Sequence, residues 1–446
     1  MSLLTTFRQL GPGLLYAGAA VGVSHLVQST QAGAAWGLSL VWVVVLANVL
    51  KYPFFEFGPR YAAATGESLV EGYRKLWGGT PLLLFVLLTL GTMFIIQAAV
   101  TIVTGGLAAY LVEYAGWDVV NVGGNDWGEW IWGTTTGPDG QRQVSAVGLS
   151  GRILALCALV LAVGRYKILD KVMKVVILLL TLTTLLALGM ALAKGGIGAG
   201  NGFGAAEWLD PTLVAAWIIP LVGWMPAPLD IAVWHSVWSL EGKEGRPQEG
   251  KAWRAGRLDF RIGYWGTTLL AICFLSLGAF VIFGSGVTIE SKAVPFARQL
   301  IDMYAQTLGE WARPIIALAA FTTMLSTTLT CLDAFPRVLS RATRLFVPEP
   351  AAVARRNGYY WGWITLTALG TFFLLLWFLS DMRQMITLAT AISFLTAPLL
   401  ATFSFLAVRS SLVPPERRPR GAYLWFAVVG LVFLYIFAAY YIHTLV

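Results

Sequence analysis

The chain has 446 residues, of which 57% are hydrophobic and only 12% are charged, and its mean hydropathy is +0.71. Soluble proteins carry about 25% charged residues, so this composition excludes an ordinary soluble enzyme, a disordered regulator and a fibrous protein. The three cysteines all lie in apolar runs, which excludes a disulfide framework and a zinc site. The length would accommodate two or three soluble domains, but the composition favours one membrane protein with many spans.

Apolar stretches of about 20 residues, long enough to cross ~30 Å of hydrocarbon as an α-helix, recur along the whole chain. In chain order they predict eleven transmembrane spans, at 13–35, 38–57, 81–112, 146–163, 168–193, 212–239, 259–284, 314–335, 359–380, 384–408 and 421–444. No motif for nucleotide binding, nucleophilic catalysis or metal-dependent hydrolysis accompanies them. We therefore expect a lipid-embedded protein with no enzymatic activity and no cofactor.

The net charge of +8 is distributed unevenly along the chain. With the N-terminus in the cytoplasm, most Lys and Arg residues fall in cytoplasmic loops and helix ends, for example in 165–174, 243–261 and 337–356. This is the positive-inside pattern, and it accounts for the positive charge without a nucleic-acid partner. It predicts a multi-pass protein of the cell membrane with a cytoplasmic N-terminus, an external C-terminus and no cleaved signal peptide.

Two spans contain residues that interrupt helices. In the sixth span, Pro220, Gly223, Pro226 and Pro228 crowd together at mid-membrane, and each proline removes a backbone donor and clashes with the preceding turn. Backbone groups freed at membrane depth are tolerated only where they line a cavity or are buried in protein. The first span has no proline at that depth, and the argument for a break there is weaker. Its small and polar residues are Gly18, Gly22, Ser24 and His25.

Interrupted helices five spans apart indicate a secondary transporter built from two inverted repeats. The first repeat would cover residues 1–195 and the second 209–408, with the eleventh span at 421–444 as an addition. The substrate would bind near the bilayer midplane, where the first and sixth spans unwind, and would cross by alternating access. The alternative is a kinked sixth helix with a purely structural role.

Several short stretches resemble the Nramp family of metal-ion transporters. They are Gly11–Leu15 and Gln31–Ala34 in the first span, Val41–Asn48 in the second, Ala64–Leu69 after it, and Met225-Pro226 in the sixth. The resemblance extends over nearly the whole chain and is most specific in its first 75 residues. It implies the all-helical LeuT-type fold of eleven transmembrane helices, with inverted five-helix repeats and interrupted helices 1 and 6.

The chain departs from this family at the residues that would bind metal. Nramp metal carriers have Asp-Pro-Gly-Asn at the break in helix 1, and its Asp and Asn coordinate the ion. An ungapped alignment places at these positions Gly22, Val23, Ser24 and His25. The helix-6 pattern Met-Pro-His becomes Met225-Pro226-Ala227, which keeps the soft sulfur and loses the histidine. A helix-10 glutamine that assists coordination in the family aligns with Thr396.

The altered site is better suited to a small anion than to a metal ion. A dehydrated divalent cation needs anionic oxygens or soft sulfur and nitrogen ligands, whereas unwound half-helices present free N–H groups and about half a positive charge at their N-termini. We expect Ser24 and His25 to donate hydrogen bonds to the anion, although His25 could instead be a buried structural histidine. The expected substrate-binding residues are Gly22, Val23, Ser24, His25, Gly223, Met225, Ala227, Asp230 and Thr396.

Hydroxyl and carboxyl groups supply candidates for a coupling-ion site. Asp230 follows the break in the sixth span, where it either caps the second half-helix or binds a coupling ion or proton. Sodium-coupled relatives of the LeuT-type fold bind sodium with helix-8 hydroxyls and helix-1 carbonyls. The resemblance therefore makes Ser326 and Thr327, in the eighth span, further candidates for a sodium site.

Other polar residues inside spans are candidates for the transport pathway. Lys51 lies within the second span and either snorkels to the cytoplasm or faces the pathway, where it could pair with Asp230. Gln97 and Thr101 belong to a polar stripe on the third span that could line the same pathway.

These features predict a secondary transporter that moves a small inorganic anion such as bicarbonate, with sodium or a proton as the co-transported ion. The alternative is a proton-coupled transporter of divalent metal ions of the Mn, Fe or Mg type, using Met225, His25, Asp230 and backbone carbonyls. A third possibility is a non-transporting sensor or scaffold on the same fold. We expect a monomer.

Overall fold

The computed structural model describes residues 12–116, 134–136, 142–164, 166–193, 213–240, 247–347, 356–377 and 382–445. Within these ranges the chain is helical except for turns and one short antiparallel hairpin. Its strands are β1 (Thr134–Thr136) and β2 (Arg142–Val144), with Thr135 opposite Gln143.

The helices follow the predicted spans in chain order. The first span consists of α1 (Pro12–Ala20), a π-helical segment (Ser24–Ser29) and α2 (Thr30–Trp36). The next helices are α3 (Val41–Thr65), the short α4 (Leu69–Lys75), α5 (Thr80–Tyr114), α6 (Ala146–Ala162) and α7 (Tyr166–Ala193). The sixth span consists of a π-helical segment (Val214–Ile218), α8 (Ile219–Trp224) and α9 (Asp230–Trp238). The remaining helices are α10 (Gly250–Val281), α11 (Ala293–Leu308), α12 (Arg313–Phe346), α13 (Arg356–Trp377), α14 (Met382–Arg409) and α15 (Gly421–Leu445).

Seven helical stretches in the described part of the chain are long and apolar enough to cross a membrane. Two shorter apolar helices, Ala146–Ala162 and Leu178–Ala193, lie at the fourth and fifth predicted spans. The prediction of an all-helical, multi-pass membrane protein is therefore confirmed. The count of eleven spans and the orientation of the termini remain predictions. So do the repeat boundaries, because residues 195 and 209 lie outside the described ranges.

Both predicted interruptions are present. In the first span α1 ends at Ala20, and helical structure resumes at Ser24 after a bend at Val21 and Gly22. In the sixth span α8 ends at Trp224, and α9 begins at Asp230. The intervening segment contains the prolines that made this break predictable, and its Met225–Pro226 peptide bond is cis.

The long helix α10 supports both halves of the first span through close glycine contacts. At one end, a Cβ added to Gly13 would lie 2.3 Å from the Asp259 carbonyl oxygen, and one added to Gly263 would lie 2.3 Å from the Gly13 carbonyl oxygen. At the other end, a Cβ on Gly33 would meet the Leu275 carbonyl at 1.9 Å. The backbones therefore touch, which is how small residues allow membrane helices to pack closely.

We expect Gly278→Ala to destabilise this crossing, because its new Cβ would lie 2.2 Å from the Thr30 carbonyl oxygen. Overpacking of this kind costs about 1–3 kcal/mol. Gly266→Ala on the same helix is the matched control, since its Cβ would have nothing within 4 Å and alanine is the better helix former. Thermal unfolding in detergent should show a lower midpoint for Gly278→Ala and an unchanged or higher midpoint for Gly266→Ala. Equal midpoints would contradict the close crossing.

One amphipathic helix was absent from the predicted elements. The sequence interpretation placed nothing between 284 and 314, but α11 fills most of this interval. Its buried residues include Phe296, Leu300 and Tyr304, which are spaced four residues apart and so share one face. Charged residues on its other face kept the segment below the hydropathy of a span, and for that reason a search for apolar runs missed it.

Candidate functional site

Lys51 reaches from α3 into the break of the sixth span. Its ammonium group donates hydrogen bonds to the carbonyl oxygens of Val222, at 2.5 Å, and Gly223, at 3.1 Å. These carbonyls lie in the last turn of α8, where the end of the helix removes their partners four residues on. The Val222 oxygen also accepts from the Met225 N–H at 3.4 Å. The side chain is fully buried, so the alternative in which Lys51 snorkels to the cytoplasmic surface is wrong.

The positive charge of Lys51 has no acidic neighbour in the described residues. No carboxylate oxygen there lies within 4.0 Å of its ammonium, so the suggested pairing with Asp230 is not formed. Asp230 is itself buried and is the first residue of α9, where the positive end of the helix dipole stabilises a carboxylate. The break therefore has an amino group at the end of α8 and a carboxyl group at the start of α9.

The break in the first span is held by Thr327 of α12. The Thr327 hydroxyl lies 3.3 Å from the Gly18 carbonyl oxygen and 3.1 Å from that of Val21. It also lies 3.1 Å from the carbonyl oxygen of Thr323 in its own helix. A Cβ on Gly22 would come within 2.9 Å of the Thr327 methyl group, so this glycine allows the close approach.

A second hydroxyl of α12 is buried without a partner. The Ser326 Oγ has no hydrogen-bond partner among the described residues and is shielded from solvent. It adjoins Thr327, so one turn of α12 carries a hydroxyl surrounded by three carbonyl oxygens and a second, unsatisfied hydroxyl. Buried polar atoms are nearly always paired, and an unpaired one is therefore a candidate ligand.

Ser24 and His25 lie in the start of the second half of the first span, but their side chains make contacts within the fold. The Ser24 Oγ lies 3.2 Å from the Ala20 carbonyl oxygen and 2.8 Å from the His25 Nδ1. The His25 Nε2 donates to the Thr267 carbonyl oxygen of α10 at 3.0 Å, which makes the ring a buried structural group. Direct binding of the substrate by these two side chains remains a prediction. Val23 is also buried beside them.

Helix α14 packs directly against the end of α8. A Cβ on Gly223 would lie 2.4 Å from the Thr390 carbonyl oxygen, and the Trp224 indole N–H donates to the Ser393 hydroxyl at 2.9 Å. Thr396 lies one turn further along α14 and donates to the Ser393 carbonyl at 3.0 Å. Gly223 is thus required for close packing as well as for the break.

The polar stripe of α5 faces α12. The Gln97 side-chain amide donates to the Thr328 carbonyl oxygen at 3.1 Å and to the Thr101 hydroxyl at 3.2 Å. The Thr104 hydroxyl of the same stripe lies 2.7 Å from that of Thr328. These bonds place Gln97 and Thr101 in a helix–helix contact, and their role in a pathway remains a prediction.

No metal-binding cluster is evident in the described ranges, where no three His, Cys, Asp or Glu side chains come together. Met225 and Ala227 are both buried in the break of the sixth span.

Sequence interpretation missed the Val222 carbonyl, since a backbone atom has no residue-type signature. The prolines were the available signal, because a broken helix must leave carbonyls that some other group satisfies.

Comparison with known proteins places this geometry in a family. The pattern described as "Natural resistance-associated macrophage protein-like", or Nramp, matches residues 143–444. The uncharacterized protein PM0681 of Pasteurella multocida is 34% identical over 432 residues, which cover 96% of this chain and 90% of that protein. A shorter match, 35% identical over 65 residues and 15% of each chain, is to the divalent metal cation transporter MntH of Verminephrobacter eiseniae.

Solved structures share the fold at low sequence identity. The E129Q mutant of the Eremococcus coleocola manganese transporter superposes with a TM-score of 0.66 at 13% identity, covering 98% of this chain and 86% of that one. The MhsT transporter in complex with L-phenylalanine gives a TM-score of 0.64 at 13% identity, with 98% of both chains covered. The fold is thus that of Nramp and LeuT-type transporters, as the broken first and sixth spans predicted. By its sequence match over more than half of its length, the chain belongs to the Nramp family.

Proposed function

We propose that this protein is a secondary transporter of a small inorganic anion, such as bicarbonate, with a co-transported sodium ion. The observation that supports the proposal is the buried Lys51 ammonium on the Val222 and Gly223 carbonyls. Carbonyl oxygens at the end of a broken helix are ligands that suit a cation, and here a cation tethered to the protein binds them. The mobile ion then has to be one that tolerates this fixed positive charge.

Electrostatic magnitudes favour an anion. At 4 Å and an effective dielectric constant of 20, two unit charges interact by about 4 kcal/mol, so a divalent cation beside Lys51 would be repelled by about 8 kcal/mol. A monovalent anion in the same place would gain about 4 kcal/mol. In the ungapped alignment, Gly22 and His25 replace the Asp and Asn of metal carriers, so the first span supplies no carboxylate to reverse this balance. Asp230, at the start of α9, would offset part of the Lys51 charge when it is ionised.

A divalent metal ion is the second candidate, and the names of the relatives favour it. MntH and the Eremococcus protein are described as divalent metal and manganese transporters, and Met225 retains the sulfur typical of the family. Metal binding here would require Lys51 to leave the helix-6 carbonyls and Asp230 to serve as the acidic ligand. The two candidates therefore differ in the position of Lys51: the anion requires its ammonium on the helix-6 carbonyls, whereas the metal ion requires it to leave them.

The coupling ion would bind at the break of the first span. Thr327 brings together the Gly18, Val21 and Thr323 carbonyl oxygens, and the preceding residue, Ser326, has a buried hydroxyl without a partner among the described residues. Hard cations are bound by such neutral oxygens, and unwound carbonyls serve this purpose in transporters of related architecture. Asp230 remains a candidate for a transported proton or for the same cation.

The proposal is tested by uptake into proteoliposomes that contain the purified full chain. We expect saturable uptake of labelled hydrogen carbonate, stimulated by an inward sodium gradient, and no uptake of manganese above that of protein-free vesicles. Manganese uptake without hydrogen carbonate uptake would establish the metal alternative. If neither ion enters, the anion proposal is wrong and the non-transporting sensor or scaffold is favoured.

A further inference from the structure

A basic patch lies at the start of α10, where the seventh predicted span begins. Lys251, Arg254 and Arg261 are exposed, and Arg257 is partly exposed. Their spacings of three and four residues place all four on one side of the helix. Among the described residues, only Arg257 of these four has a carboxylate oxygen within 4.0 Å, that of Glu56 at 3.8 Å.

Glu56 does not neutralise this patch, because its carboxylate already has other partners. The Arg60 guanidinium donates to its two oxygens at 2.7 and 2.8 Å, and the Tyr423 hydroxyl donates at 3.0 Å. The Arg257 Nε is too far from Glu56 for a hydrogen bond, and it is shielded from solvent without a partner among the described residues. Since Arg60 balances the charge of Glu56, Arg257 and Arg261 remain as excess positive charge.

Aromatic rings place the patch at the level of the lipid headgroups. The Trp265 side chain is 43% exposed, and its ring stacks on Tyr52 of α3 with centroids 5.6 Å apart. Trp and Tyr favour the membrane interface. Arg257 and Arg261 are both close enough to Tyr52 to act on its hydroxyl electrostatically. One turn beyond Trp265, the exposed Leu269 continues the same side of α10 as an apolar surface.

We infer that Arg257, Arg261 and Tyr52 bind the phosphate of an anionic phospholipid at the seam between α3 and α10. Arginine recognises phosphate oxygens through paired N–H donors, and the tyrosine hydroxyl can donate to the same phosphate. Trp265 and Leu269 would contact the glycerol and the acyl chains, which favours a lipid over free phosphate. Phosphatidylcholine has the same phosphodiester, but the arginines would repel its choline cation. This site is independent of the proposed function.

The test is native mass spectrometry of the full chain in detergent, titrated with dioleoyl phosphatidylglycerol or dioleoyl phosphatidylcholine. We expect one tightly bound phosphatidylglycerol and much weaker binding of phosphatidylcholine. Arg257→Gln combined with Arg261→Gln should weaken phosphatidylglycerol binding about 25-fold, since each basic residue near an anionic lipid contributes about fivefold. Tyr52→Phe retains the ring beside Trp265 and removes the hydroxyl, so it should weaken binding about tenfold.

Lys251→Gln combined with Arg254→Gln is the matched control, because it removes the same charge from the same side of α10. Lys251 lies six residues, or about 9 Å, before Arg257, which is about one Debye length at physiological salt. We therefore expect a loss of phosphatidylglycerol affinity of about threefold at most. An equal loss in the two double variants would overturn the inference, because it would indicate diffuse surface charge.

Three other results would also overturn the inference. They are wild-type phosphatidylglycerol affinity in the Arg257→Gln, Arg261→Gln variant, equal binding of phosphatidylcholine by the wild-type protein, and displacement of the lipid by millimolar inorganic phosphate. The last would show that the arginines bind free phosphate. If size-exclusion chromatography shows that this double variant is misfolded, Tyr52→Phe decides, and wild-type affinity in that variant would overturn the inference.

Discussion

Replacing Lys51 with methionine should reduce anion uptake by at least about 100-fold. The change removes the buried positive charge and keeps a side chain of similar length. An interaction of about 4 kcal/mol with a monovalent anion corresponds to a change of about three orders of magnitude in affinity, so a hundredfold loss allows for partial compensation by backbone N–H groups. The measurement is labelled hydrogen carbonate uptake into proteoliposomes, with size-exclusion chromatography as the check on folding.

The control and the competing outcome follow from the surroundings of the side chain. Lys75→Met is the matched control, because Lys75 is partly exposed and pairs with Glu67 at 2.6 Å, and it should transport normally. Lys51→Met also frees the Val222 and Gly223 carbonyls, so we expect manganese or cadmium binding to increase. Hydrogen carbonate uptake at the wild-type level in Lys51→Met would contradict the role of the ammonium. Uptake of manganese or cadmium by the wild-type protein would also contradict the role of the ammonium.

The breaks show how far composition and local chemistry predict a membrane fold. Three prolines and a glycine within nine residues of the sixth span predict its interruption, because each proline removes a backbone donor and clashes with the preceding turn. A single proline is accommodated within a helix elsewhere, as Pro336 is in α12. The first span breaks at Val21 and Gly22 without a proline, and its small and polar residues were a weaker indication of the break than the prolines of the sixth span. Its cause is tertiary, since Thr327 of a distant helix binds the carbonyls that the break releases. An interaction between residues some 300 positions apart has no local signature.

The site was less predictable than the fold. Ser24 and His25 were expected to face the substrate, but the sequence contains no information about which side of a half-helix faces α10. Lys51 was recognised as unusual because a charge inside a span is expensive, while its partners are backbone carbonyls that only the assembled helices define.

Thr327→Val should abolish the stimulation of uptake by sodium. Valine has nearly the shape of threonine but lacks the hydroxyl, and the Gly18 and Val21 carbonyls would then lose the group that lies 3.1–3.3 Å from them. We expect the sodium concentration for half-maximal uptake to rise at least about tenfold, as for the loss of one ligand oxygen of about 1.4 kcal/mol. Anion exchange measured without a sodium gradient should fall much less.

Two further variants separate coupling from a general loss of structure. Thr327→Ser retains the hydroxyl, so sodium dependence should be close to that of the wild-type protein. Thr322→Val removes a hydroxyl that bonds to the Leu318 and Ala319 carbonyls of its own helix, and coupling should be unaffected. If Thr327→Val keeps normal sodium dependence, the coupling ion does not bind at the first break. Asp230, the buried carboxylate at the start of α9, would then be the remaining candidate, because it alone of the proposed coupling residues could neutralise a cation or carry a proton.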